Sequence, residues 1–183
     1  MPVTAAWRRN LAGSAAVAVG VGVLSLGMPA LDDAIPDATV PAGRPLPFAA
    51  NVSVVPPPDA TLDAESTSPA QGVVTLFVDG VRYRLSAQAF AGTVDQLAAR
   101  VRAQVGQATG LQGIAADQPI TTDAGVPGET AAFVAENRTG WYAVFVHDGT
   151  GVVAVVDGND ASLTGHRGDL DKSVRSLTFQ DET

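Results

Sequence analysis

The chain has 183 residues, 11 Lys+Arg against 19 Asp+Glu, and a formal net charge of −8. Its acidic residues are spread along the length and no basic stripe exists to displace counterions from phosphates, which excludes nucleic-acid binding. The absence of cysteine removes disulfides, thiol chemistry, thiolate-held zinc and a lipidated-cysteine anchor, and only His147 and His166 offer imidazole chemistry.

Residues 1–10, MPVTAAWRRN, form a short N-terminus that carries Arg8 and Arg9. No charged side chain then occurs until Asp32, and a helix over 11–31 reaches about 30 Å, the hydrocarbon thickness of a bilayer. Arg8 and Arg9 before the segment and Asp32, Asp33 and Asp37 after it orient it with the N-terminus cytoplasmic. The expectation is a single-pass anchor in the lipid bilayer of the cell membrane, with the C-terminal domain extracytoplasmic. A cleaved signal peptide is the competing reading, in which case the protein is secreted.

Seven of the 12 prolines lie between Ile35 and Pro58. Proline removes the backbone donors that helices and ladders need, so residues 32–70 are expected to be an extended, Pro-rich extracytoplasmic linker. Within it, Phe48, Val52, Val54 and Val55 are suited to an added edge strand.

The globular domain is expected at 71–183. In "VVTLFVDGVRYRL", Asp79-Gly80 suits a two-residue type I′ hairpin turn. Val81, Tyr83 and Leu85 alternate with Arg82, Arg84 and Ser86, which gives one core face and one solvated face. Arg82 and Arg84 are weighed as an anion site against that solvated face, and the latter is preferred. "TVDQLAARVRAQVG" is an amphipathic helix with a Thr93/Gln96 capping box, an apolar stripe at Val94, Leu97, Ala98, Val101 and Val105, and Gly106 as its close.

A Gly-containing loop follows over "GQATGLQGIAADQ", then a short strand and a three-strand meander with turns at 125–128, 137–140 and 148–150. The run Trp141 to Val146 is apolar on both alternate sets and belongs in the centre of a sheet covered on both faces. "DLDKSVRSLTF" predicts a last helix with Leu170, Val174 and Leu177 on one stripe and Asp169 or Asp171 at its start.

"HDGTGVVAVVDG", His147 to Gly158, contains a literal match to the dinucleotide pattern G-x-G-x-x-G/A, with Asp171 about twenty residues on. A dinucleotide loop must open a helix, whereas Val152, Val153, Val155 and Val156 favour a strand. The glycines are therefore expected to turn a hairpin, and no cofactor is predicted.

His147, Asp148, Asp157, Asp160 and His166 bear metal-ligating groups, but "DGND" lacks the ligand order of a calcium loop, so no metal is predicted. No G-x-S-x-G elbow is present and no catalytic residue is singled out. Trp141, Tyr142 and Phe145 are read first as core residues; because they flank turns at one end of the sheet, they are also the candidate apolar binding groove.

The order of hairpin, amphipathic helix, "GVPGETAAF" strand, "DGTGVVAVV" hairpin and terminal helix ending "VRSLTF" resembles the Mog1/PsbP-like fold. In particular it is similar to actinobacterial LpqN-type envelope proteins and type VII secretion-associated proteins. The resemblance covers about Gly72 to Phe179 and implies an α+β domain, an antiparallel sheet covered by helices. LpqN-type lipoproteins carry an anchoring cysteine; here the apolar N-terminal segment takes its place. The expected function is a membrane-tethered, non-enzymatic accessory or interaction domain of the cell envelope with an envelope protein partner. The alternatives are a carrier of a small apolar or lipidic ligand and, third, an uncharacterised hydrolase.

Overall fold

The computed structural model describes residues 38–41, 43–107 and 110–180. The N-terminus 1–10, the apolar segment 11–31 and the start of the linker lie outside the described residues. Among the described residues no helix is long and apolar enough to cross a membrane.

The first difference from expectation comes at once. Much of the segment read as a spacer is folded: β1 (Ala38–Thr39), β2 (Leu46–Ala49), β3 (Val52–Val54), β4 (Thr61–Leu62) and a 3₁₀ turn at Pro69–Gln71. Phe48, Val52, Val54 and Ala60 are buried in the main core. The prolines permit this because of where they stand. Pro47 lies in β2, at the edge of a three-stranded sheet in which β3 is central and the strand Thr178–Phe179 is the other edge, so a missing amide donor costs no ladder bond, and Pro56 and Pro57 follow β3. The alternation of Phe48, Val52 and Val54 with more exposed neighbours is therefore the stronger signal, and the folded unit begins well before residue 71.

β5 (Val73–Val78) and β6 (Val81–Ala89) form the expected hairpin, with Asp79 at φ 44° and Gly80 at φ 77°, the left-handed pair of a type I′ turn. Helix α1 (Val94–Gly106) follows, and its capping box is formed: the Thr93 hydroxyl accepts from the Gln96 amide and the Gln96 side chain accepts from the Thr93 amide. Gly106 is the last helical residue rather than the terminator, since the C-cap is Gln107.

The stretch expected as a loop contains β7 (Leu111–Ile114), and β8 (Gln118–Thr121) is the predicted short strand. β9 (Pro127–Ala135), β10 (Arg138–His147) and β11 (Thr150–Gly158) make the meander. The middle turns are tighter than expected: Pro127 and Gly128 already belong to β9, and Arg138 to Gly140 to β10. Helix α2 (Asp160–Arg175) starts some ten residues earlier than "DLDKSVRSLTF" suggested, and β12 (Thr178–Phe179) closes the described chain. Asn159 caps α2, its side chain accepting from the Ser162 amide at 2.9 Å. Asp171 thus sits inside the helix, and Leu177 is buried just beyond it.

The large sheet is antiparallel, ordered β1-β4-β5-β6-β11-β10-β9-β7, with β8 also paired to β9. Trp141, Ala143 and Phe145 of β10 join Val152, Ala154 and Val156 of β11 and Val81, Tyr83 and Leu85 of β6 in the core with Leu163, Leu170 and Val174 of α2. Tyr142 and Val144 face the other way, into a second core with Leu97, Ala98, Val101 and Val105 of α1. Both faces of β10 are covered, as its two apolar alternate sets require. The fold is α+β, an antiparallel sheet with helices packed on it.

Candidate functional site

The glycine motif resolves first. Asp148 at φ 43° and Gly149 at φ 74° form the turn between β10 and β11, and Gly151 to Val156 pair as strand with both β10 and β6. Gly151 lies under Phe90 and Leu97: a Cβ there would stand 2.8 Å from Phe90 Cβ. The second glycine therefore makes room for the α1 side of the core, and no helix N-terminus follows it.

The three aromatic residues expected to line a groove are not brought together. Trp141 and Phe145 belong to the α2-side core and Tyr142 to the α1-side core. The period-2 alternation of a strand sends neighbours to opposite faces, so consecutive aromatics cannot line one surface. Trp141 is capped by the Arg167 guanidinium, 4.6 Å from the ring centroid. On the α1 side, Leu97, Ala98, Val101 and Val105 share a core with Tyr142 and Val144.

His147 and His166 are also apart. His147 tilts against the Phe179 ring at 5.3 Å beside Asp148, while His166 Nε2 stands 3.4 Å from Asp79 Oδ2 at the β5–β6 turn. Among the described residues no three histidine, aspartate or glutamate side chains converge as a metal site.

What the structure does assemble is polar chemistry on the α1-side face of the sheet, in two groups. In the first, Arg82 of β6 forks onto Asp157 of β11, Nε donating to Oδ1 at 3.0 Å and Nη2 to Oδ2 at 3.1 Å. Arg138 of β10 donates to the same Oδ2 at 2.7 Å. Arg82 and Asp157 are directly opposite in the ladder, so strand register alone supplies the pair. The carboxylate is 7% exposed, and both oxygens are engaged. Arg84, two residues along β6, faces the same way between Thr75 and Val155.

In the second group, the Tyr142 hydroxyl donates to Asp117 Oδ1 at 2.6 Å, and Arg102 of α1 donates to Asp117 Oδ2 at 3.1 Å and to the Ala115 carbonyl at 2.7 Å. Burial, then the hydrogen bond to Asp117 and the charge of that carboxylate, push the Tyr142 phenol well above its ordinary range. Glu129 of β9 is nearby. Burial, a hydrogen bond with Asp95 and the negative charges of Asp95 and Asp117 raise its pKa, against the opposing pull of Arg102. This group ties α1 to the β8–β9 edge. Asp117 carries no motif, and only the three-dimensional proximity of Tyr142 and Arg102 reveals it.

On the opposite face, Ser173 of α2 donates to the Val55 carbonyl at 2.6 Å and lies 3.5 Å from the Tyr83 hydroxyl. Burial drives that phenol's pKa up too, partly offset by Ser173. These bonds join the small sheet to the helix.

No family model matches the chain, and no curated protein matches it. Among solved structures it is similar to the solution structure of cyanobacterial PsbP (CyanoP) from Synechocystis sp. PCC 6803, at 13% identity over 84% of this chain and 98% of that one, with a TM-score of 0.49. It is also similar to a crystal structure from Bacteroides thetaiotaomicron VPI-5482, at 11% identity over 75% of this chain and 47% of that one, with a TM-score of 0.38. At these identities and scores neither likeness bears on activity.

Proposed function

We propose that the chain is a membrane-tethered, extracytoplasmic accessory or interaction domain of the bacterial cell envelope, acting through an envelope protein partner and carrying out no reaction of its own. The finer assignment within this reading is to the LpqN-type or type VII secretion-associated proteins that the order of elements resembles. The observation that carries it is the joining of the uncharged segment 11–31 to a domain in which the polar side chains of Asp157, Asp117 and Ser173 are engaged in holding strands and helices together. Asp157 is shared by two arginines, Asp117 by Tyr142 and Arg102, and Ser173 by Val55 and Tyr83. Groups held in this way stabilise a surface for recognition rather than wait for a substrate.

The test is mild crosslinking of the full-length chain in its native membrane, followed by purification and protein identification. The expected result is a membrane-fraction protein that resists alkaline extraction and brings down the same envelope protein in repeated experiments. Recovery in the soluble extracytoplasmic fraction overturns the tether, and repeated recovery with no crosslinked partner overturns the interaction role.

A further inference from the structure

Three arginines share the α1-side face of the sheet: Arg82 and Arg84 on β6 and Arg138 on β10. Arg82 and Arg138 both spend their charge on Asp157. Arg84 has no hydrogen bond or ion pair among the described residues, although it is half-buried. Its ladder neighbours bring no counter-charge. Thr75, opposite it on β5, donates its own hydroxyl to the Ser66 carbonyl. Val155 flanks Arg84 on the β11 side.

A partly buried guanidinium without a counter-charge costs stability, because it has lost water and gained nothing in exchange. Arg82 adds repulsion: side chains two apart on one strand face stand about 7 Å from each other. Burial and that neighbouring charge both lower the pKa of Arg84 from its ordinary value. Helix α1 packs chiefly on β7, β9, β10 and β11, which leaves the β6 stretch of this face less covered. Three guanidiniums against one carboxylate leave two positive charges uncompensated, in a chain whose net charge is −8. A carboxylate would balance one of them; a phosphate dianion balances both, and guanidinium donors match its oxygens in geometry. Ser86, next along the same face of β6, adds a hydroxyl donor.

We propose that Arg84, flanked by the Arg82–Asp157–Arg138 cluster, is a binding site for a phosphate oxyanion on the open part of the sheet face. Strand register aligns the arginines, Asp157 holds two of them rigid, and the third is left to bind. The site stands independently of the tether and of any protein partner.

The test is a titration of the full-length protein in neutral detergent micelles with inorganic phosphate, following the arginine Nε–H resonances by NMR, with sodium chloride at matched ionic strength as control. The expected result is a saturable shift of the Arg84 resonance that chloride does not reproduce. Phosphate should also raise the melting temperature of the wild type and of Arg84→Lys, but not of Arg84→Gln. Arg84→Gln without phosphate should melt no lower than wild type, because it removes an unpaired charge; a purely structural arginine would give the opposite sign. A parallel arm adds vesicles of phosphatidylcholine, with or without phosphatidic acid, whose phosphomonoester can carry two negative charges. A shift with the anionic vesicles alone assigns the phosphate to a lipid headgroup, and a shift with inorganic phosphate assigns it to a soluble ligand. No shift in either arm, or an equal response to chloride, overturns the site whether or not the variants fold.

Discussion

Arg82 and Asp157 face each other across the β6–β11 ladder, joined by two parallel hydrogen bonds of 3.0 and 3.1 Å. The pair connects adjacent strands of the large sheet, and Arg138 extends it to β10. Its energetics depend on unequal burial: the carboxylate is enclosed while the Arg82 side chain remains about one-third exposed. Removing the carboxylate therefore costs more than removing either arginine.

Asp157→Asn should lower unfolding stability by about 2 kcal/mol, below the usual cost of breaking a fully buried pair because Arg82 retains water contact. Arg138→Ala, at the more exposed partner, should cost about 0.5 kcal/mol. Urea unfolding midpoints of the two variants check the order. Equal losses would mean that Asp157 is not the centre of the cluster.

Glu129 sets a pH dependence of known sign. Its folded pKa is raised, so its contribution to stability is fully present below the unfolded carboxyl pKa and is lost as pH rises through the folded value. Above that range the charged Glu129 faces Asp95 and Asp117, with Arg102 in partial compensation. Glu129→Gln should therefore flatten the decline in melting temperature on going from mildly acidic to neutral pH. An unchanged pH profile for this variant would remove Glu129 as its source.

The fold of residues 46–62 into the domain has direct consequences. Phe48 is 1% exposed in the main core, and Phe48→Ala should cost about 4 kcal/mol through lost burial and a residual cavity. Limited proteolysis of the native protein should spare this stretch despite its prolines, and a chain started at Gly72 should fail to unfold cooperatively. Rapid cleavage between Leu46 and Leu62 with the remainder intact would restore the spacer reading.

The two glycines of the hairpin should respond differently to alanine. Gly151→Ala drives a methyl toward Phe90 and Leu97, at 2.8 and 3.2 Å, and should cost about 2 kcal/mol by overpacking. Gly149→Ala meets open space at φ +74° and should cost about 1 kcal/mol, from backbone conformation alone. Denaturant midpoints distinguish the two. A neutral Gly151→Ala would contradict the tight approach of Phe90.

Sequence alone was sufficient wherever local chemistry and burial agreed. Asp79-Gly80, the Thr93/Gln96 box, the α1 stripe and the doubly apolar β10 each state their own structure, because turn dihedrals, caps and periodicity act within a few residues. Tertiary structure overrode the local signal in three places. Proline-rich composition concealed how fully this stretch folds: the edge strand suggested by Phe48, Val52 and Val54 is a β2–β3 pair whose stability comes from partners in the core and, for β3, from β12. Glycines at 165 and 168 concealed the first half of α2, which is anchored by Leu163 and Leu170 on the sheet. Adjacency in sequence suggested a groove for Trp141, Tyr142 and Phe145 that strand alternation divides between two cores.

What the sequence by itself determined is the α+β class, the hairpins and the central strand, together with the expectation of an apolar N-terminal anchor. What only the tertiary structure decided is which charges meet. Arg82 and Asp157 are 75 residues apart, and Tyr142 and Asp117 are 25 apart. Ion pairs of this kind have no periodicity to announce them; sheet register creates them after the core has chosen its faces. The same register leaves Arg84 beside Arg82 with no carboxylate opposite.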